Sequence, residues 1–354
     1  MTPAQLRRAA AHAGLTLIEL LVVVAILGLL MALLVPAVNI AREAGRRTMC
    51  QSNLRQLALG CLQHESVRGF FPTGGWGNQW VGDPDRGFGT RQPGGWAFNL
   101  LPHIEEAALR DLGSGITDAA LKRDQAAVRL ATPVPVFTCP SRRGPGLWRY
   151  DYQRLKKPFL LTAVPKTMDA IPTAVVRGDY AANMGSGATP NNYQGGGAFE
   201  SAQLADLMTE AFWQFYYPTT ADGMVFRRSR VRLREVTDGT SATYLLGEKY
   251  VDPAAYAAGA SEDDDQCLYS GHERDVLRVG LEPPYQDRAG FDPTTTTGTT
   301  GGPNKTPLPI AFGSAHPDAC GMAMVDGSIR VVEYGIAAAV HRSLSSRNDG
   351  QAAR

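Results

Sequence analysis

Apolar and polar positions divide the chain sharply. From Leu20 to Val38 there is no charged residue. At about 1.5 Å per residue, a helix of that length matches the roughly 30 Å hydrocarbon core of a bilayer. Arg7 and Arg8 precede it, so the positive-inside rule predicts a cytoplasmic N-terminus and an exported remainder. Helical spacing continues beyond Pro36, a possible kink, from Asn39 to about Glu65. Ala41, Ala44, Met49, Leu54, Leu57, Leu59 and Leu62 are expected on one apolar face, with Arg42, Arg46, Arg47 and Arg55 elsewhere.

Shorter elements follow. Gly69 to Gly95 is rich in Gly, Pro and Trp and predicts a loop. Trp96 to Leu112 and Asp118 to Leu130 read as helices, and Val134 to Phe137 as a strand. Ala174 to Ala182 predicts a strand running into an Asn183–Gly187 loop, and Met224 to Val236 predicts one or two strands. Ala242 to Tyr250 reads as a buried strand after a Thr237–Ser241 turn. Met322 to Val325 and Ser328 to Val332 predict a hairpin about Asp326-Gly327, a two-residue type I′ turn by its residues. Ile336 to Leu344 predicts a closing helix. The pattern as a whole is α+β: one long N-terminal helix packed on an antiparallel sheet, with large irregular loops inserted.

Composition narrows the classes. Among 354 residues, Lys+Arg is 35 and Asp+Glu is 34, a net charge of +1. That balance lacks the basic excess needed to hold nucleic-acid phosphates, so no nucleic-acid partner is expected. Charged residues are only 19% and apolar residues 44%, which excludes general disorder. The five cysteines, Cys50, Cys61, Cys139, Cys267 and Cys320, form no CxxC pair. Their odd count leaves at least one outside any intramolecular disulfide, and Cys50 with Cys139 is the pair weighed for one.

A carboxylate at the head of the apolar run changes the reading. Glu19 would cost roughly 2.5–3.5 kcal/mol or more inside hydrocarbon, a cost without use in a secretory signal peptide. It stands in Gly14-Leu15-Thr16-Leu17-Ile18-Glu19-Leu20-Leu21, which resembles the type IV prepilin cleavage and methylation signature. The resemblance implies cleavage after Gly14 by a prepilin peptidase and N-methylation of Leu15, where the family more often has Phe. It also implies pairing of Glu19 with the N-terminal amine of a neighbouring subunit, which would compensate the buried charge. The parts then run as leader 1–14, transmembrane or filament helix 15–38, exported continuation 39–66 and globular head 67–354. A mobile polar insertion is expected at about 261–306.

A wider resemblance rests on CxxNLxQ (Cys50, Asn53, Leu54, Gln56), GWAFNLLPHIE, FTCPS, DYAAN, VTDGTSATYLLGE, FGSAHPDACGMAMVDGSIR and VHRSLSSRNDG. In this set His316 precedes Asp326-Gly327 by nine intervening residues. The chain resembles the bacterial prepilin-type proteins of unknown function that end in an H-x9-DG signature. Met324-Val325 departs from a common Phe-Cys, and Ala242 from a common Asn. The resemblance implies a membrane-tethered, pseudopilin-like protein with an exported head, self-associating or joining other pseudopilins in a type II secretion-like or type IV pilus-like system. It implies no reaction, and no enzyme is expected. The alternative is a surface module binding sugar, protein or calcium on a membrane stalk.

Candidate chemistry is sparse. Asp326 and Gly327 read as turn residues, and His316 as a pin at a strand start through a backbone hydrogen bond. No histidine spacing marks a metal site. Asp238 and Gly239 read as a turn before a core strand, and Cys139 as the end of a strand. Asp263, Asp264 and Asp265 read as a solvated acidic turn, with calcium as the weaker option. Ser241 has no motif-placed base, and the Gly-rich segments 74–77 and 195–197 lack a phosphate-loop context. Trp76, Trp80, Trp213, Phe215, Tyr216 and Tyr217 are core or loop residues by the commoner reading, and stacking platforms for a ligand by the rarer. No cofactor is expected.

Overall fold

The computed structural model describes residues 16–150, 173–187, 221–258, 261, 264–288 and 310–351. The chain divides into two compact units, Met1–Gly45 and Arg46–Arg354. The described part of the first unit is the apolar portion of α1 (Leu17–Arg68), a helix that continues through Pro36. Its most apolar window has no buried residue and is long enough to cross a membrane. Thr16 caps the helix: its N–H and hydroxyl donate to Glu19 at 2.9 and 2.8 Å, and its Oγ1 accepts from the Glu19 N–H at 3.3 Å. This reciprocal pairing is a capping box.

In the second unit, the rest of α1 buries Cys50, Leu54, Leu57, Ala58, Gly60, Cys61 and His64. The spacing of three and four puts these on one face. Met49 and Leu59 lie outside that face, at 56% and 47% exposure. Helical phase explains the correction, since neither keeps step with the 50-54-57-61-64 series.

The remaining helices are α2 (Trp96–Leu100), α3 (Ala107–Asp111), α4 (Ala119–Leu130) and α5 (Ala338–Ser345). The predicted helix over 96–112 is broken where Pro102 enters a 3₁₀ turn, Leu101–His103. Asp118 caps α4 by accepting from the Leu121 N–H. Val134 to Phe137 is not a strand but enters a 3₁₀ turn, Pro135–Phe137. Two prolines, at 133 and 135, remove ladder donors there.

The strands are β1 (Trp148–Arg149), β2 (Ala174–Val175), β3 (Tyr180–Gly185), β4 (Tyr244–Glu248), β5 (Leu277–Val279), β6 (Tyr285–Gln286), β7 (Gly313–Ser314), β8 (Ala319–Met324) and β9 (Ile329–Glu333). The central sheet has the order β5-β3-β4-β8-β9 and is antiparallel except for the β3/β5 pair. Every residue of β3, β4 and β8 is buried, so both faces of the sheet are covered over these three strands. On β8, Ala323 shares a core with Leu54 and Leu57 of α1, whereas Cys320, Met322 and Met324 pack with Leu344 of α5. The alternation of a strand thus assigns one face to each helix.

Three further expectations change. Met224 to Val236 forms no strand; Arg228 adopts φ 53°, and Phe226 and Val231 instead accept from Gly74 and Phe71. Of the insertion at about 261–306, residues 264–288 supply β5 and β6 and bury Cys267, Leu268, Tyr269, Val276 and Leu277. Polar content there masked short apolar segments whose charged neighbours are paired. The Asp326-Gly327 connection is a three-residue loop, not a type I′ turn. Gly327 alone has positive φ, 83°, its N–H donates to Met324 O, and the Met324 N–H donates to Ser328 O. That is a turn with a left-handed glycine closing a bulge, a geometry that only Gly adopts without strain.

Candidate functional site

Four elements bring ligand-type side chains to one point beneath the sheet. Cys50 comes from α1, Cys139 follows the Pro135–Phe137 turn, Glu248 ends β4, and His316 lies between β7 and β8. All four are buried, and one ligand atom from each lies within 4.8 Å of every other. His316 Nε2 is 3.7 Å from Cys139 Sγ and 3.4 Å from Glu248 Oε1.

Their positions are fixed from behind. Asn53 Nδ2 donates to Thr138 O at 3.0 Å, tying α1 to the segment that carries Cys139. Asp179 Oδ2 accepts from the Cys139 N–H, and Tyr180 donates its hydroxyl proton to Cys50 O. Glu248 turns its second oxygen to the Gly321 N–H at 2.7 Å. A Cβ at Gly321 would stand 3.1 Å from that oxygen, so glycine keeps the approach open. Tyr334 clamps the loop of His316, its hydroxyl 2.7 Å from His316 O. The Cys50 thiol and burial push the Cys139 thiol above its usual range, against an opposite pull from His316.

Next to Cys139 lies a buried ion network. Arg142 pairs with Asp179 and Asp287 at 3.3 and 2.9 Å. Arg143 pairs with Asp179 and Asp264, and Lys249 with Asp264 at 2.8 Å. Asp264 and Asp265 are therefore not a solvated turn: both are buried, and the Asp264 oxygens already hold Arg143 and Lys249. Burial alone would raise the Asp264 carboxyl, but Arg143 and Lys249 hold it well below the usual range. In sequence the run reads as solvent-facing, because nothing local marks Arg143, 121 residues away, or Lys249, 15 residues away, as its partners. Asp263 lies outside the described residues.

The other predicted residues scatter. Gly14 and Leu15 lie outside the described residues, and Glu19 sits in the capping box. The His316 ring lies inward, with Nε2 beside Cys139 and Glu248. Asp326 is exposed, and its carboxylate accepts from Ser328 N and Oγ. The H-x9-DG spacing therefore joins a buried ring to a surface turn rather than pairing two reactive groups. Asp238 accepts from the Asp349 and Gly350 N–H groups at 2.6 and 3.0 Å, fastening the C-terminal NDG segment to the turn at Gly239, whose φ is 102°. Trp76 and Trp80 are buried against each other, ring centroids 5.1 Å apart, and offer no stacking surface. Trp213, Phe215, Tyr216 and Tyr217 lie outside the described residues. All five cysteines are free thiols, Cys50 and Cys139 included.

Residue spacing gives no sign of the four-residue cluster, because its members are far apart in sequence. Each nonetheless belongs to a different motif of the family resemblance: CxxNLxQ, FTCPS, VTDGTSATYLLGE and FGSAHPDACGMAMVDGSIR.

A family model described as a protein of unknown function (DUF1559) matches residues 39–339. A model of the prokaryotic N-terminal methylation motif matches residues 10–35. No curated protein and no solved structure matches the chain. The family match spans most of the sequence and contains all four cluster residues, and the prepilin-type motif falls on the membrane-length helix, so the chain is a membrane-anchored member of the DUF1559 family.

Proposed function

We propose that this protein is a pseudopilin-like structural and assembly subunit of a type II secretion-like or type IV pilus-like system. A prepilin peptidase cuts it after Gly14, Leu15 is N-methylated, and the apolar helix packs with copies of itself or with other pseudopilins. The head is exported from the cytoplasmic membrane, in line with Arg7 and Arg8 on the inner side. The role is structural, not enzymatic. One observation carries the reading: the methylation motif at 10–35 overlaps a helix that exposes its apolar window and places Glu19 in its first turn. In the precursor Thr16 satisfies that carboxylate. After cleavage, a neighbour's amine gives it a charged partner in the bilayer, where one is worth most.

A second reading, a ligand-binding head on a membrane stalk, draws on a groove of about 410 Å³ lined by Tyr250, Pro284, Tyr285, Tyr334, Arg288 and Arg342. In-membrane cross-linking separates the two. The assembly reading expects self-cross-links through single cysteines placed at 24 or 27 in the native membrane. It also expects Glu19→Ala to be processed normally but to lose most of them. Equal cross-linking with and without Glu19, or none in either protein, would contradict assembly and favour the stalked binder.

A further inference from the structure

We propose that Cys50, Cys139, Glu248 and His316 bind one Zn²⁺ in a closed, tetrahedral structural site that fastens the exported part of α1 to the central sheet. Tetrahedral zinc with bonds of about 2.3 Å to sulfur and 2.0–2.2 Å to nitrogen and oxygen sets the distances between ligand atoms. Those edges are about 3.6 Å for sulfur to nitrogen and about 3.4 Å for nitrogen to oxygen. The observed separations are 3.7 Å for Cys139 Sγ to His316 Nε2 and 3.4 Å for His316 Nε2 to Glu248 Oε1.

Convergence on a single nitrogen separates this site from two alternatives. A Cys–His–Glu catalytic relay needs the thiol on one ring nitrogen and the carboxylate on the other. Here both meet Nε2, which suits a metal-bound imidazole lone pair. A Cys50–Cys139 disulfide would account for two members but would leave His316 and Glu248 facing each other without reason.

The donor set selects the metal. Two thiolates and an imidazole favour zinc over the oxygen-seeking calcium and magnesium. Four protein ligands, all buried, leave no open position for substrate, as expected of a structural and not a catalytic zinc. The Gly321 N–H orients the carboxylate from outside, as partners of metal ligands commonly do.

The chemistry balances without an oxidant or reductant. Each thiol gives up one proton to solvent as its sulfur bonds to zinc, and the imidazole binds neutral. Zn²⁺ with two thiolates and one carboxylate carries a net charge of −1. Arg142 interacts electrostatically with Cys139 and supplies nearby positive charge.

The test uses the full chain extracted from membranes in detergent without chelator, with metal content read by elemental mass spectrometry. About one zinc per chain is expected. Cys139→Ala and His316→Ala should lower it by about tenfold or more. Cys61→Ala, at a buried cysteine outside the cluster, should keep it. Should the ligand variants fail to fold, the wild-type protein decides. Stripped of metal under reducing conditions and titrated with Co²⁺, it should show tetrahedral visible bands and a thiolate charge-transfer band, both bleached by one equivalent of Zn²⁺. A metal-free native protein with a Cys50–Cys139 disulfide in non-reducing peptide mapping would overturn the site. So would stoichiometric iron or copper in place of zinc, or cobalt bound without the thiolate band.

Discussion

Acidification from pH 7 to pH 5 should remove about 4 kcal/mol of stability from the head through His64 and His341 alone. Both imidazoles are pushed down to about 4, His64 by burial with smaller contributions from His103, Arg68 and Arg110, and His341 by burial. Each must stay neutral in the fold. His64 Nδ1 lies 2.9 Å from Phe70 O and His341 Nδ1 3.3 Å from the Tyr244 hydroxyl. Neither Nε2 has a hydrogen-bond partner among the described residues, so the imidazolium, protonated on both ring nitrogens, would hold a buried donor with no acceptor.

The sign follows from linkage. Below the unfolded value, near 6.5, the unfolded chain takes up protons that the folded chain refuses, so stability falls with pH until about 4. At pH 5 each histidine contributes about 2 kcal/mol of that loss. Asp275 and Asp287, raised by burial, act in the opposite sense, so the decisive quantity is a difference between proteins. Urea unfolding at both pH values should show the His64→Gln/His341→Gln variant losing about 4 kcal/mol less than the wild type. An equal loss in both proteins would assign the acid sensitivity elsewhere.

Asp264→Asn should destabilise the head by about 3–5 kcal/mol at neutral pH. The change keeps the shape and removes the charge facing Arg143 and Lys249, both buried. Two cations would then lie in a low-dielectric interior with a missing counter-charge, the costly way to break a buried pair. Asp252→Asn is the control, because its carboxylate caps the Pro253–Ala255 turn near the surface. It should cost less than about 0.5 kcal/mol, because asparagine caps nearly as well as aspartate. A loss at Asp264 no larger than at Asp252 would mean that the network is hydrated or rearranged in solution.

What the sequence discloses depends on range. The apolar run and the β8/β9 hairpin are local patterns, and each appears in the structure where the residues put it. Strand β4 is equally plain, since Tyr244-Leu245-Leu246 follows a strong turn. The misreadings fall where distant partners decide. Val134–Phe137 looks like a strand until its prolines turn it. Leu277–Val279 hides in a polar stretch, yet completes the central sheet beside β3. Asp264 reads as solvated until Arg143 and Lys249 reach it. The cysteine, glutamate and histidine cluster is the extreme case, because four separate elements must fold before its geometry exists. Its members are visible earlier only as parts of motifs, with nothing in their spacing to say that they meet.

On the proposed function, the N-terminal helix is a processed prepilin helix. Intact mass and N-terminal sequencing of the protein extracted from its native membrane test it most directly. Prepilin processing gives a chain that starts at Leu15 and carries one added methyl group. A start beyond about residue 35 would show signal-peptide release, and an uncleaved start at Met1 or Thr2 would show a plain anchor; either would contradict it.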